Sequence, residues 1–95
     1  MATYFIIEVL RIKGEAVYKR YTDAARPVIE KHRGVYIIRS NDVTMVSGSE
    51  KPERVILIQF PDEQAVKDCL SSPEYRQLAP LREQSTESRA FIVNQ

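Results

Sequence analysis

Several things are scarce in this sequence, and each scarcity excludes something. Cysteine occurs once, at Cys69, so no internal disulfide is available and a reducing, cytoplasmic location is expected. Histidine also occurs once, at His32, and a lone His with a lone Cys 37 positions away makes no metal-ligand spacing. With no Trp, 3 Gly and 5 Pro, neither a collagen-like repeat nor a Gly/Pro-rich disordered segment fits the composition. Apolar runs are short, as at residues 4–7, and none approaches the roughly 20 residues a membrane helix needs. No basic segment followed by an apolar stretch opens the chain, so no secretory signal is expected. An excess of one charge is missing too. Lys and Arg number 14 against 13 Asp and Glu, a net +1, which removes any general electrostatic case for nucleic acid.

What remains is an ordinary globular composition, 43% hydrophobic and 28% charged, in 95 residues: one domain spanning 1–95. A chain of this size buries only somewhat over ~60% of its unfolded surface, so its core is marginal, and pairing with a second copy would relieve the shortage. Between Arg11 and Arg39 lie eight basic residues against three acidic ones, which reads as a solvated helix face rather than an anion-binding surface.

Residues 3–12 read as a strand. Both parities are apolar, with Tyr4, Ile6, Leu10 and Ile12 on one side and Phe5, Ile7 and Val9 on the other, as in a strand covered on both faces. Residues 15–32 have helical spacing, with Pro27 predicting a kink or a new first turn, and Gly34 is the expected left-handed cap. Residues 35–40 form a second strand, Asn41-Asp42 a turn, and residues 43–46 a continuation of the hairpin. A third strand covers 54–60. Asp62 caps a helix to about residue 70, Ser72-Pro73-Glu74 starts another weakened by Pro80, and 89–94 form the last strand. Strand, helix, strand, strand, helix, strand is the α+β, ferredoxin-like βαββαβ plan: a four-stranded antiparallel sheet with helices on one face. The other face is apolar on strands one and three, and the same face of a second copy is its simplest cover.

Three stretches carry a family likeness. Glu30-Lys31-His32-Arg33-Gly34 with Tyr36 and Arg39, Pro52-Glu53-Arg54 running through an apolar strand to Phe60-Pro61, and Ser72-Pro73-Glu74-Tyr75 with the later Arg82 occur in order. Together they resemble the domain of unknown function 1330 family, within the dimeric α+β barrel superfamily. The resemblance implies a homodimer of ferredoxin-like sheets packed face to face, with a pocket between sheet and helices. Elsewhere that superfamily includes cofactor-free quinone-forming monooxygenases, muconolactone isomerase and haem-binding enzymes, and fold alone does not choose among them. This chain departs from the family pattern at Arg33, at Gln59 and at Cys69-Leu70.

Glu8 interrupts an apolar strand, and by parity Glu8, Gln59 and Arg39 converge on the barrel side, as a ligand site or as a structural Glu8–Arg39 pair. His32 is the default acid or base, with helix capping as its plainer role. The catalytic expectation is that His32 moves a proton on a small substrate held by Arg39 and oriented by Glu8. Tyr21, Tyr36, Gln59, Tyr75, Arg54 and Arg82 are candidates for binding it. The expected function is binding or transforming a small, partly hydrophobic or anionic metabolite without cofactor or metal, by proton transfer, isomerisation or cofactor-independent oxygenation. The alternative is a non-catalytic small-molecule-binding or interaction dimer. An RNA platform is disfavoured because the third strand lacks the Gly and paired aromatics that RNA-binding sheets use. An acylphosphatase-like cradle is disfavoured because only Gly14 follows the first strand.

Overall fold

The computed structural model describes residues 2–95. Its elements are β1 (Thr3–Ile12), α1 (Glu15–Lys31), β2 (Val35–Ser40), β3 (Arg54–Phe60), α2 (Glu63–Ser71), α3 (Pro73–Ser85) and β4 (Thr86–Asn94). The strands form one antiparallel sheet in the order β2-β3-β1-β4, the ferredoxin-like arrangement. No helix among the described residues is long and apolar enough to cross a membrane.

The helices cover one face of the sheet. α1 presents Tyr18, Tyr21, Ala25 and Ile29 along a single stripe, at spacings of three and four residues. Beneath them lie Phe5 and Val9 of β1 and Ile56, Ile58 and Phe60 of β3, with Val66 and Cys69 of α2 completing the core. The two short helices start as their sequences direct. Asp62 Oδ1 accepts from the Ala65 amide at 2.8 Å, and Ser72 Oγ accepts from the Tyr75 amide at 3.2 Å, with Pro73 in the first turn. α1 runs unbroken through Pro27, and α3 through Pro80, each exposed on its outer side.

Three local expectations are corrected. The left-handed residue after α1 is Arg33 (φ 69°), not Gly34. The Arg33 amide bonds the Glu30 carbonyl at 3.0 Å and the Gly34 amide the Ile29 carbonyl at 2.9 Å, which closes the helix as a Schellman motif with arginine in the glycine position. Gly34 is needed for space: a Cβ there would stand 2.5 Å from Ile29 Cγ2 and 2.9 Å from Phe60 Cζ. Residues 43–46 form no strand and belong to a loop spanning 41–53. β4 begins three residues earlier than expected, at Thr86, directly off the end of α3.

Strand registers decide which side chains share a face. Tyr4, Ile6 and Glu8 lie opposite Gln59, Leu57 and Val55 of β3, and opposite Val93, Phe91 and Arg89 of β4. All of these point away from the helices. On β2 the register shifts between Tyr36 and Ile38, so Ile38 pairs with Leu57 and Arg39 with the buried Ile56. That one extra residue reverses the parity. Arg39 therefore belongs to the helix-covered side of the sheet, and the expected convergence of Glu8, Gln59 and Arg39 does not occur. Glu8 pairs instead with Arg89, whose Nε donates to its Oε1 at 2.6 Å.

Candidate functional site

The helices do not fill the sheet face completely. Between α1, α3 and the β1–β4 half of the sheet is an open-mouthed cavity of about 370 Å³, within the usual range for small-molecule sites. Its floor is apolar, built by Phe5, Ile7, Val9 and Ile56 with Ala90 beside them. Its helix side is aromatic: Tyr18 and Tyr21 from adjacent turns of α1 and Tyr75 from α3. The Tyr18 and Tyr21 rings are stacked with centroids 6.4 Å apart, and Tyr21 meets Tyr75 edge to face at 6.3 Å.

A polar chain runs through these rings. Arg82 Nη1 donates to Tyr75 Oη at 2.8 Å, and Tyr75 Oη shares a hydrogen bond of 2.7 Å with Tyr21 Oη. Burial, reinforced by Tyr75, pushes the Tyr21 hydroxyl well above the ordinary phenol range despite the opposing pull of Arg82. Tyr21 therefore keeps its proton at any physiological pH and acts as a hydrogen-bonding group, not as a base. Tyr18 differs from both. It is 4% exposed, and among the described residues its hydroxyl is the buried side-chain oxygen with no hydrogen-bond partner. Such an atom costs about 1–3 kcal/mol unless something satisfies it. The Arg54 guanidinium lies over the outer ring face, 5.2 Å from the centroid.

At the mouth, charge is nearly spent. Arg82 serves Tyr75 and stands 4.0 Å from Glu83, while Glu87 is held by Arg11 at 3.0 Å. Arg82 is thus the one cation among the lining residues, and of the two glutamates beside it Glu87 is already paired.

Of the residues expected from sequence, the fold brings Tyr21, Tyr75 and Arg82 together around this cavity and places Arg54 against its Tyr18 wall. Tyr36 and Arg39 border a smaller adjoining hollow of about 30 Å³, where Arg26 lies 5.0 Å from the Tyr36 ring centroid. Glu8 and Gln59 sit on the opposite face of the sheet. His32 caps α1, its Nδ1 2.9 Å from the Val28 carbonyl, and lies outside the cavity. Since a carbonyl only accepts, that geometry places the imidazole proton on Nδ1. Sequence reasoning missed Tyr18. Its signal was the three-residue step to Tyr21 and the seven-residue step to Ala25, which put it on the same inward stripe.

The open sheet face carries the second feature. Val35, Ile37, Ile38, Phe91 and Val93 are 42–58% exposed there, around the half-buried Ile6 and Leu57. Apart from residues such as Glu8, Gln59 and Arg89, this face is apolar, and no helix covers it among the described residues. Among the described residues no group of His, Cys, Asp and Glu is arranged to hold a metal ion.

The buried acids of the helix side set an alkaline limit. Burial pushes the Cys69 thiol up to about 11, with Glu74 adding to the effect, and burial pushes Tyr36 up to about 12 against the pull of Arg26 and Arg39. Their ordinary values are 9.0 and 10.0. Above pH 9 the unfolded chain therefore sheds protons that the folded chain retains, and stability falls as pH rises toward 12. Urea unfolding followed by circular dichroism should show a midpoint that drops between about pH 8 and about pH 11. A midpoint unchanged over that range would contradict the burial of these groups.

The family model described as Domain of unknown function (DUF1330) matches residues 2–95. No curated protein matches the chain. Among solved structures, it is similar to a protein of unknown function from Rhodopseudomonas palustris, at 19% identity and a TM-score of 0.81, covering 97% of this chain and 80% of that one. It is similar to a dimeric ferredoxin-like protein of unknown function from Jannaschia sp. CCS1, at 13% identity and a TM-score of 0.67, covering 99% of each. It is also similar to SnoaB, a cofactor-independent oxygenase from Streptomyces nogalater, at 11% identity and a TM-score of 0.64, covering 99% of this chain and 90% of that one. At these identities the likeness is one of fold.

Proposed function

The chain belongs to the family described as Domain of unknown function (DUF1330), and from that premise we propose that it is a homodimer, each protomer binding a small, partly hydrophobic metabolite in the cavity between sheet and helices. The observation that carries this reading is the cavity of about 370 Å³ itself, with an apolar floor, a wall of three tyrosines and a polar rim that includes Arg82 and Ser88. The dimer rests on the apolar sheet face and on the dimeric state of the Jannaschia protein of the same fold. Two copies pressed face to face would bury Ile6, Leu57 and Phe91, and Glu8 would enter the seam already paired with Arg89.

Hydrogen-bond donors in a low-dielectric cavity stabilise charge that develops on a substrate oxygen. That is the contribution the tyrosines would make to an isomerisation, another proton transfer or a cofactor-independent oxygenation of the kind named for SnoaB. A second reading, binding without turnover, is favoured by one observation: His32, the side chain whose ordinary titration lies nearest neutrality, is outside the cavity.

The test is thermal denaturation with a panel of small ketones, phenols and carboxylates, on the wild type and on Ala90→Trp, which fills the cavity from β4. At least one compound should raise the wild-type midpoint, by about 1–3 kcal/mol of stabilisation at concentrations ten to a hundred times its Kd, and should leave Ala90→Trp unmoved. No compound stabilising the wild type, or equal stabilisation of both proteins, contradicts the cavity as the binding site.

A further inference from the structure

We propose that Arg82 anchors a carboxylate, and that the cavity takes small monocarboxylates whose other end is apolar or aromatic. The inference rests on the cavity being the ligand site and adds the chemical class of what enters it.

Arg82 reaches the cavity from α3, and a ligand can reach Arg82. It lines the cavity, and its side chain keeps 33% of its surface exposed. Tyr75 fixes it twice. Nη1 donates to Tyr75 Oη at 2.8 Å, and the guanidinium carbon stands 5.9 Å from the centroid of the same ring. Tyr75 Oη is itself tied to Tyr21 Oη at 2.7 Å, so the arginine is braced through two rings to α1. A side chain already held in place loses less freedom when it binds. Among the described residues Tyr75 is its one side-chain hydrogen-bond partner. Glu83 is its neighbour in sequence, and residues one apart do not face each other on a helix. Nη2 stands 4.0 Å from Glu83 Oε1, too far for a hydrogen bond. The remaining donors form a planar fork, which matches the two oxygens of a carboxylate.

The surrounding charges agree with an anion. Arg11 holds Glu87 at 3.0 Å, and Glu83 is 72% exposed to water. The Arg54 guanidinium stands behind the Tyr18 wall, 5.2 Å from the ring centroid. Three arginines therefore answer two glutamates in and around the cavity, which leaves one positive charge and suits a monoanion. The mouth is open, so a carboxylate on Arg82 keeps water on its outer side and avoids the full cost of burial. The floor of Phe5, Ile7, Val9 and Ile56 carries no charge and receives the apolar end.

Phenylacetate, its uncharged isostere phenylacetamide, and acetate test this on the intact protein by ligand-observed NMR at low salt. Phenylacetate should bind about tenfold more tightly than phenylacetamide, and acetate, which lacks an apolar end, should not displace it. Arg82→Gln should lower phenylacetate affinity about tenfold and leave phenylacetamide unchanged, which shows at the same time that the cavity is intact. Glu83→Gln, at an exposed position, keeps the test open should Arg82→Gln fail to fold. It should raise phenylacetate affinity about twofold, without effect on the amide. If the two phenyl compounds bind alike and neither variant changes their ratio, the anchor is overturned. If phenylacetate is preferred equally in the wild type and in Arg82→Gln, another cation holds the carboxylate and the assignment to Arg82 is wrong. If neither phenyl compound binds, the carboxylate class is wrong. In each of these cases the cavity survives if a ketone or phenol stabilises the wild type and not Ala90→Trp, and falls if none does.

Discussion

Leu57→Glu should run as a single 11.0 kDa chain under conditions where the wild type runs as a pair. Leu57 lies in the middle of the sheet face that the helices leave open, opposite Ile6 on one side and Ile38 on the other, and Ile6 is in turn opposite Phe91. Its side chain points away from the helices, so the substitution costs the protomer core nothing. In a two-fold seam, however, the change occurs twice, and each new carboxylate is buried without a partner, since the nearby Arg89 is already held by Glu8. An unpaired charge in an apolar interface costs about 3–5 kcal/mol, enough to weaken association at least a hundredfold. Sedimentation or light scattering reads the result. Leu57→Glu that remains a dimer would show that the copies meet elsewhere, for example through the loop at 41–53, where Val46 is 98% exposed.

Gly34→Ala should be the most damaging single methyl group in the chain. The added Cβ would sit 2.5 Å from Ile29 Cγ2, 2.9 Å from Phe60 Cζ and 3.0 Å from the Ile29 carbonyl oxygen. Neither side chain has room to retreat, because Ile29 and Phe60 are 5% and 1% exposed and pack in the core. The carbonyl is backbone and accepts the hydrogen bond that closes α1. Relief requires moving the end of α1 away from β3, an overpacking cost of about 2–3 kcal/mol. For a chain of this length that corresponds to a drop in Tm of roughly 10 °C or more. An unchanged Tm in Gly34→Ala would contradict the tight passage from α1 into β2.

Much of this architecture is legible in the sequence, and the reasons are local. β1, β2 and β3 begin and end where the apolar runs do, and the two short helices begin at Asp62 and Ser72, whose side chains cap them. The open apolar face follows from strands that are apolar on both parities when helices can cover only one. Two of the failures are matters of register and crowding. Alternation along β2 places Arg39 with Glu8 only if no residue is inserted, and the shift before Ile38 inserts one. Gly34 looked like the left-handed residue because glycine is the usual one, but the space between Ile29 and Phe60 claimed it, and Arg33 took the strained conformation. Tyr21, Tyr75 and Arg82 stand out in the sequence by residue type, and the fold places all three on the cavity wall. Tyr18 was not singled out, because a missing hydrogen-bond partner is a fact of three dimensions.

Under the proposed function the two faces of the sheet have separate roles: the helix-covered side for a small molecule, the open side for a second copy. Mapping amide shifts during titration with whichever compound of the panel stabilises the wild type tests that division most directly. Perturbations should cluster at Val9, Tyr18, Tyr21, Tyr75, Arg82 and Ala90, around the cavity, and spare Ile6, Ile38, Leu57 and Phe91. Shifts concentrated on the latter four would place the ligand in the seam between copies and contradict the account.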